Sequence, residues 1–299
     1  MFHLFISCIA SAFTKDYVAV IVSDTLPEYL ETAQSFIDAY PGSLETYQIG
    51  GNKTKAIRIM NEIQNDPPSM IFAVGTKAAY ISIQEASDIP CFYVMVNNPT
   101  RYGIYGDNVM GITSFPTAEM TLSQLQLFVP KSQRLGLFMS SSSPAELISD
   151  AVEKAQSMGY EPIIIHINSN TDLRRELRLI PAKVDAIWLF PDPQIITPDN
   201  FHMISSMAKR SKIPVVTNSE LLTQGGALFS VTPNNVFIGQ QAASLMVEIL
   251  EMEKLQGENT DPHIYYPEIP KIIFNETTQK TIGLELTPFA NGFIDEFVQ

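Results

Sequence analysis

Short polar residues follow the apolar segments of this sequence at six places. These ends are Ser23-Asp24-Thr25, Gly75-Thr76, Asn97-Asn98, Ser140 to Ser143, Pro191-Asp192 and Thr217-Asn218-Ser219. Hydroxyl, amide and carboxylate groups form directional hydrogen bonds, and the free N–H groups at the start of a following helix add donors. Such chemistry suits the binding of a small polar solute. Any one of these residues could instead cap a helix, but six such ends are less easily explained by capping alone.

Groups that could perform catalysis or bind a metal are sparse. The four histidines are His3, His166, His202 and His263. None lies at a predicted strand end, no His/Cys pair has metal-ligand spacing, and no G-x-S-x-G, P-loop or G-x-G-x-x-G motif follows a strand. Asp24 and Asp192 could form a carboxylate pair, but without a visible catalytic partner a binding role is favoured over acid–base chemistry. We therefore expect a protein that is not an enzyme and that uses no metal and no cofactor.

The elements that must position these residues alternate from Asp16 onward. Strands are predicted at 17–24, 44–50, 69–76, 89–96, 134–140, 160–167, 185–191, 213–219, 226–232 (as an outer strand) and 271–275. Helices are predicted at 26–40, 55–64, 77–87, 118–130, 144–159, near 171–178, and at 198–210 and 235–257, with a terminal helical segment. This alternation is typical of parallel βαβ units, and near-continuous apolar strands fit a sheet that is covered on both faces. The sequence predicts an α/β fold with two doubly wound parallel-sheet lobes.

The predicted lobes are discontinuous in the chain. Lobe 1 is expected to contain residues 16–116 and 233–270, and lobe 2 residues 117–232 and 271–299. Because ligands of such sheets bind outside the carboxyl ends of the strands, we expect the six polar ends to face a cleft.

Composition and charge exclude some classes of protein. The chain has 299 residues, of which 45% are hydrophobic and 17% charged, which is typical of a globular protein. Its 32 acidic and 19 basic residues give a formal net charge of −13, which argues against nucleic acid as a partner.

The first 15 residues have a different character. Residues 4–12 are apolar or small, too few for a membrane-spanning helix, and they end in Ala10-Ser11-Ala12, a candidate signal-peptidase site. Alternatively, residues 5–8 (FISC) form an imperfect lipobox in which Cys8 would be lipidated. A first strand or a tail is the remaining interpretation. Export is favoured, whereas Cys91, in an apolar segment, is expected to be a buried small hydrophobe.

A series of motifs resembles one known family. Gly75-Thr76-Lys77-Ala78-Ala79, Val96-Asn97-Asn98-Pro99 and Asn108-Val109-Met110-Gly111 are similar to its G-T-x-A-A, T-D-P and N-V-T-G motifs. Later segments around 124–144, 183–195, 212–231, 239–250 and 272–286 match in order and spacing. The family is that of the ABC-transporter solute-binding proteins with the type I periplasmic-binding fold, in the branch that includes tryptophan- and tyrosine-binding lipoproteins. The resemblance covers roughly residues 16–298.

The resemblance implies two lobes joined by a hinge that close on a solute. It implies an extracytoplasmic protein, expected to be a monomer, that binds an amino acid or related molecule and delivers it to an ABC permease. A lipid anchor at Cys8 stays one of the alternatives for the first 15 residues. In lobe 1 the resemblance implies ligand contacts from Gly75 and Thr76, and the strand ends add Asp24, Thr25, Asn97 and Asn98 as expected ligand-binding residues. Those of lobe 2 are Ser140, Ser141, Ser142, Asp192, Asn218 and Ser219.

Two positions depart from the family pattern. Asn98 and Asn218 stand where family members often carry Asp, and each change removes a carboxylate that could pair with a ligand ammonium. Asp24 or Asp192 would then have to hold that charge, so a neutral polar solute becomes an alternative to an aromatic amino acid. Trp188, Tyr93 and Tyr102 could stack on a ligand, although core packing is favoured.

Two other functions remain open at this point. A ligand-sensing domain of the same fold would pass occupancy to a signalling partner, and a longer gene with such an extension would favour it. An enzyme of doubly wound architecture would show turnover that depends on Asp24 or Asp192.

Overall fold

The computed structural model of the chain describes residues 16–143, 145–256 and 264–299. The predicted signal or lipobox segment with Cys8, and also His3 and His263, lie outside the described residues. The chain divides into two compact units. Unit 1 comprises the described residues of Met1–Ser114 and Asn235–Tyr265, and unit 2 those of Phe115–Asn234 and Tyr266–Gln299. Residues 115–116, 233–234 and 266–270, which we expected in the first lobe, cluster with unit 2.

Unit 1 is built on a parallel sheet, which has six strands in its described part. The strands are β1 (Tyr17–Val22), β2 (Ser43–Gln48), β3 (Met70–Val74), β4 (Cys91–Val96), β5 (Val109–Thr113) and β11 (Ile264–Tyr265). Their spatial order is β11-β5-β4-β3-β1-β2, and every pair is parallel. The helices are α1 (Pro27–Ala39), α2 (Lys53–Asn65), α3 (Thr76–Glu85) and α9 (Asn235–Gln256), with a 3-10 helix at Pro99–Tyr102.

Strand β1 shows why the sheet of unit 1 needs helices on both faces. Its six residues are all buried, and alternate side chains point to opposite faces. Tyr17, Ala19 and Ile21 join a core with α2 and α3. Val18, Val20 and Val22 join a second core with α1 and α9. An apolar run without alternation therefore encodes a doubly covered strand, as predicted.

Unit 2 has seven strands among its described residues. They are β6 (Arg134–Met139), β7 (Glu161–His166), β8 (Ala186–Leu189), β9 (Val215–Thr217), β10 (Phe229–Pro233), β12 (Pro270–Asn275) and β13 (Glu296–Val298). Their spatial order is β13-β12-β10-β9-β8-β6-β7. The helices are α4 (Ala118–Phe128), α5 (Ala145–Ser157), α6 (Asn170–Lys183), α7 (Pro198–Ser211), α8 (Glu220–Gln224), α10 (Glu276–Ile282) and α11 (Pro288–Asn291).

One strand of unit 2 differs from its prediction. We expected residues 226–232 to form an outer strand, but β10 lies inside the sheet, parallel to β9 and antiparallel to β12. The prediction was wrong because the partner strand, β12, comes about 40 residues later in the chain. The strands β5, β11 and β13 were not predicted. Strand β11 has two residues and pairs with the distant β5, whereas β5 and β13 each pair with the strand that precedes them in the chain.

The cores confirm two predictions about single residues. Cys91 is buried in the sheet of unit 1, and this burial raises the pKa of its thiol to about 12. Trp188 is 2% exposed and packs against Phe190, with ring centroids 4.5 Å apart. Tyr93 is also buried, whereas Tyr102 is exposed.

Candidate functional site

Each sheet contains one point where the chain reverses the direction in which it adds strands. In unit 1 the chain passes from β1 outward to β2 and then returns to place β3 on the other side of β1. In unit 2, β7 and β8 likewise lie on opposite sides of β6. The carboxyl ends of strands at such switch points form a crevice where doubly wound folds bind ligands. These ends are Ser23-Asp24-Thr25 and Gly75-Thr76 in unit 1, and Ser140 to Ser143 and Asp192 in unit 2.

The turn between β3 and α3 brings the backbone of unit 1 close to the end of β1. Gly75 has a φ of 88°, and a Cβ there would lie 2.7 Å from Ser23 Oγ and 2.9 Å from the Tyr29 ring. Only glycine fits this conformation and this spacing. The buried Ser23 hydroxyl accepts a hydrogen bond of 2.8 Å from the Ala78 amide and so caps α3 from a neighbouring strand end. Gly75 and Ser23 thus fix the crevice wall rather than supply free side chains.

Charged groups lie across this switch point. Asp24 follows β1, Lys77 is in the first turn of α3, and their Oδ2 and Nζ atoms are 3.5 Å apart. Both side chains are partly exposed, by 38% for Asp24 and 62% for Lys77. The other Asp24 oxygen accepts a hydrogen bond of 2.8 Å from the Thr25 amide. We call Ser23, Asp24, Gly51, Gly75 and Lys77 the unit 1 cluster.

Strand β4 ends in an irregular backbone. Met95 has a φ of 57°, and the register between β4 and β5 shifts between Tyr93 and Val96. A long side chain rarely adopts this conformation, and bulges of this kind commonly redirect the residues beside a binding site. Asn97 is exposed beyond the bulge. Asn98 has a φ of 53°, which asparagine tolerates better than most residues, and its side chain accepts a hydrogen bond from the Arg101 amide.

In unit 2 the polar residues bond to one another. Asp192, which is 1% exposed, accepts hydrogen bonds from the Ser140 hydroxyl (2.6 Å), the Ser142 hydroxyl (2.9 Å) and the Ser143 hydroxyl. The Gln194 amide donates a further bond of 2.8 Å. We call Ser140, Ser142, Ser143 and Asp192 the unit 2 cluster. It ties the loop after β6 to the loop after β8.

Hydrogen bonding decides the charge state of the unit 2 cluster. Burial by itself would raise the pKa of Asp192, but the bonds from Ser140, Ser143, the Gln194 amide and Ser142 together hold that pKa below its usual value. The carboxylate is therefore ionised at neutral pH, and its oxygens are occupied by internal donors. Ser141 is exposed on the same loop, with its hydroxyl 3.3 Å from Gln194 Oε1.

Asn218 is also fully engaged inside unit 2. Its Oδ1 atom accepts a hydrogen bond of 3.1 Å from the Trp188 indole. Its Nδ2 atom donates to the Val231 carbonyl at 2.9 Å and to Thr121 Oγ1 at 3.3 Å. The amide needs both a donor and an acceptor end, so an Asp would place a carboxylate oxygen against the Val231 carbonyl. The departure from the family pattern at Asn218 has a packing reason.

The structure places all twelve predicted site residues at or just beyond strand ends. It brings together Ser140, Ser142 and Asp192 by direct hydrogen bonds, and it places Asp24 beside the predicted Gly75-Thr76 turn. Ser219, half-buried, precedes α8 without a side-chain cap. Sequence reasoning missed Lys77, although a cation in the first helical turn after Gly-Thr was a usable signal because it opposes the helix dipole.

Other kinds of site find no support in the described residues. Within ranges 16–143, 145–256 and 264–299, no three His, Cys, Asp or Glu side chains are grouped to hold a metal ion. His166 is exposed and ends β7, in register with Met139 of β6, so the expectation that no histidine lies at a strand end was wrong for this residue. His202 is exposed on α7. Among the described helices, none combines the length and the apolar character that crossing a membrane requires.

The chain matches the family described as ABC transporter substrate binding protein over residues 44–287, and it belongs to that family. Proteins of this family bind small-molecule substrates outside the cytoplasm and are not enzymes, so the enzyme alternative is set aside. The family assignment confirms the resemblance seen in the sequence.

Individual relatives support the assignment. The chain is 23% identical over 235 residues to a tyrosine-binding protein of Clostridioides difficile (strain R20291), a match that spans 76% of this chain and 66% of that relative's length, just under two thirds. The fold resembles a ligand-free, open substrate-binding protein with adhesive properties from Clostridium difficile, with a TM-score of 0.75 and 20% identity over 95% of this chain and 99% of the other. It also resembles an ABC domain from Streptococcus pneumonia in complex with L-Trp, with a TM-score of 0.57 and 17% identity over 95% and 100% of the two chains. These structures establish the two α/β sheets as the type I periplasmic-binding fold.

Proposed function

We propose that this protein is the extracytoplasmic solute-binding component of an ABC importer and that it captures a small polar solute, an amino acid or related molecule. The observation that carries the proposal is the placement of polar residues at the switch-point crevice of each sheet, in a chain of the substrate-binding family. The two units close on the solute by a hinge motion, and the loaded protein delivers it to the membrane permease. The protein acts as a monomer with no nucleic-acid partner.

Aromatic amino acids are the first solutes to test. One relative is named as a tyrosine-binding protein, and a protein of the same fold was solved with L-Trp. The sequence argument against a cationic ammonium rested on Asn98 and Asn218. Asn218 uses both ends of its amide inside unit 2, so its identity carries little information about ligand charge. Asn98 uses its oxygen to accept from the Arg101 amide, a bond that a carboxylate could also accept. Asp24, which is partly exposed, is available as an ammonium partner.

The twelve residues divide into two roles under this proposal. Contacts to the solute come from exposed or half-exposed groups, which are Asp24, Thr25, Thr76, Asn97, Ser141 and Ser219. The others act by positioning, since Gly75 and Asn98 set the backbone and Asp192, with its three serines, fixes the loop of unit 2. Asn218 supports Trp188 beneath that surface.

A thermal-shift screen followed by titration calorimetry tests the proposal. L-tyrosine or L-tryptophan should raise the melting temperature, because a solute at 100 times its Kd adds about 2.7 kcal/mol to the free energy of unfolding. D-tyrosine is the matched control for non-specific stabilisation. If amino acids, nucleosides and sugars all leave the melting temperature unchanged, the protein is not a solute-binding protein of this kind. Native mass spectrometry of the purified protein would identify a retained solute directly.

Hinge closure and anchoring have separate measurements. The radius of gyration from X-ray scattering should fall when the identified solute is added, and an unchanged value would contradict closure. Lipid anchoring through Cys8 predicts that Cys8→Ser moves the protein from the membrane fraction of expressing cells to the soluble fraction. If the wild type and Cys8→Ser distribute equally between the membrane and soluble fractions, Cys8 does not carry a lipid anchor.

A further inference from the structure

The ion pair of the unit 1 cluster lies where a ligand of the sheet is expected. Asp24 follows β1 and Lys77 follows β3, so the pair spans the switch point between these two strands. A third segment reaches the pair from the end of β2. At Gly51, whose φ is 70°, a Cβ would lie 3.2 Å from Lys77 Nζ and 3.4 Å from Asp24 Oδ2. Glycine at this position leaves both charges uncovered.

Stability does not explain why a lysine stands at position 77. A cation in the first turn of a helix opposes the helix dipole, so Lys77 is unfavourable for α3 by itself. Its ion pair with Asp24 stabilises the fold little, because Lys77 Nζ and Asp24 Oδ2 are 3.5 Å apart and the Lys77 and Asp24 side chains are 62% and 38% exposed. Exposed pairs of this kind contribute little to folding. A ligand can therefore replace the pair at small cost.

Resting on the proposed function, we propose that Asp24 and Lys77 together recognise a zwitterion. Lys77 binds the ligand carboxylate, Asp24 binds the ligand ammonium, and the internal ion pair is exchanged for two pairs with the ligand. The selected class is the free α-amino acid, as distinct from amines, carboxylic acids and uncharged solutes. Lys77 is thus a specificity-determining residue, a role that the family motif did not imply.

The unit 2 cluster supports the role of Asp24 as the ammonium partner, because it excludes Asp192 from that role. Asp192 is buried and its oxygens accept bonds from three serines and a backbone amide. At the polar strand ends that the structure describes, the carboxylates are Asp24 and Asp192, and Asp24 is the partly exposed one. A ligand ammonium at the strand ends therefore has Asp24 as its partner.

The test compares three probes by titration calorimetry at pH 7. These are L-tyrosine, tyramine, which lacks the carboxylate, and 3-(4-hydroxyphenyl)propionate, which lacks the ammonium. The wild type should bind L-tyrosine about 10- to 100-fold more tightly than either analogue, the range expected for one charge-assisted hydrogen-bonded contact. Lys77→Met should abolish the preference for L-tyrosine over tyramine. It should also strengthen tyramine binding, because Asp24 loses its internal partner.

The reciprocal variant and a control make the result specific. Asp24→Asn should abolish the preference for L-tyrosine over 3-(4-hydroxyphenyl)propionate and leave the preference over tyramine in place. Lys154→Met is the matched control, since Lys154 forms an exposed pair with Glu119 at 3.0 Å away from the strand ends, and it should change no ratio. Structural damage alone would weaken all three probes together.

The outcomes separate the two proposals. If the wild type binds L-tyrosine and Lys77→Met keeps its preference over tyramine, the zwitterion proposal is wrong and solute binding stands. If the wild type binds a sugar or nucleoside but no amino acid, the zwitterion proposal is again wrong. If it binds no solute in the screen, the proposed function fails and the zwitterion proposal fails with it.

Discussion

At the switch point of unit 2, Asp192 is buried and accepts hydrogen bonds from three serine hydroxyls, whereas at the switch point of unit 1, Asp24 is partly exposed and pairs with Lys77 at 3.5 Å. Asp24 follows β1, the first strand of unit 1, and Asp192 follows β8, the third strand of unit 2, and both strands lie beside the reversal of strand order. The same residue type therefore does different work in the two units. In unit 2 it holds loops together, and in unit 1 it presents charge.

The difference shows that a polar strand end is not by itself a ligand contact. A carboxylate whose oxygens all accept internal bonds is stabilised where it is and cannot also pair with a ligand without losing them. An exposed ion pair exchanges partners at little cost. Rigid preorganisation in one unit and exchangeable charge in the other would together suit a protein that selects and then holds a small ionic solute.

The largest expected effect distinguishes the two aspartates by the same substitution. Asp192→Ala removes the acceptor of three hydroxyls and of the Gln194 amide, and it should lower the free energy of unfolding by about 3 kcal/mol. Asp24→Ala should lower it by less than about 1 kcal/mol. Urea unfolding followed by circular dichroism measures both, and the fluorescence of Trp188, the single tryptophan, reports on unit 2. If both variants lose the same free energy of unfolding, the two aspartates do not differ in their structural role.

A middle-sized effect concerns the two asparagines that depart from the family pattern. Asn218→Asp sets a carboxylate oxygen against the Val231 carbonyl and should cost about 2 kcal/mol, partly recovered in acid when the carboxyl can donate. Asn98→Asp should stay within about 0.5 kcal/mol, since a carboxylate can still accept from the Arg101 amide. Urea midpoints at pH 7 and pH 4.5 measure the two variants. If Asn218→Asp leaves the urea midpoint at pH 7 unchanged, the bonds of the Asn218 amide do not stabilise unit 2.

The smallest effect is an acid sensitivity in unit 2. Hydrogen bonds from the Arg134 guanidinium, and then from the Arg134 and Gln133 amides, lower the pKa of Asp185 to about 2 against the opposing effect of burial. Because the folded pKa is depressed, the stabilisation is fully present above the unfolded value near 4 and is lost as the pH falls toward 2. After allowance for partial exposure of the pair, the loss is about 1 kcal/mol.

Trp188 fluorescence in urea, measured from pH 5 to pH 2.5, follows this loss. Asp185→Asn should flatten the pH dependence, while Asp150→Asn, at an exposed position on α5, should leave it as in the wild type. If the free energy of unfolding of Asp185→Asn falls with pH as steeply as that of the wild type, the acid sensitivity arises from another group in unit 2.

The sequence was sufficient for most of the fold, for a local reason. The buried strands β1, β3 and β4 of unit 1 read as apolar runs. Helices carry their own caps, as at α7, where Thr197 accepts from the Asn200 amide and Pro198 occupies the first turn. Two of the failures were non-local. The inner position of β10 and the two-residue strand β11 depend on partners far along the chain.

The sequence by itself determined which polar residues stand at the strand ends, because the alternation of strands and helices fixes where each strand stops. The tertiary structure alone decided what each residue does there. Asp24 and Asp192 look alike in sequence, yet one is surrounded by glycines and a lysine and the other by three serines and a backbone amide. Burial and hydrogen-bond partners come from segments about 50 residues away, and these partners decide whether a carboxylate is free to meet a ligand.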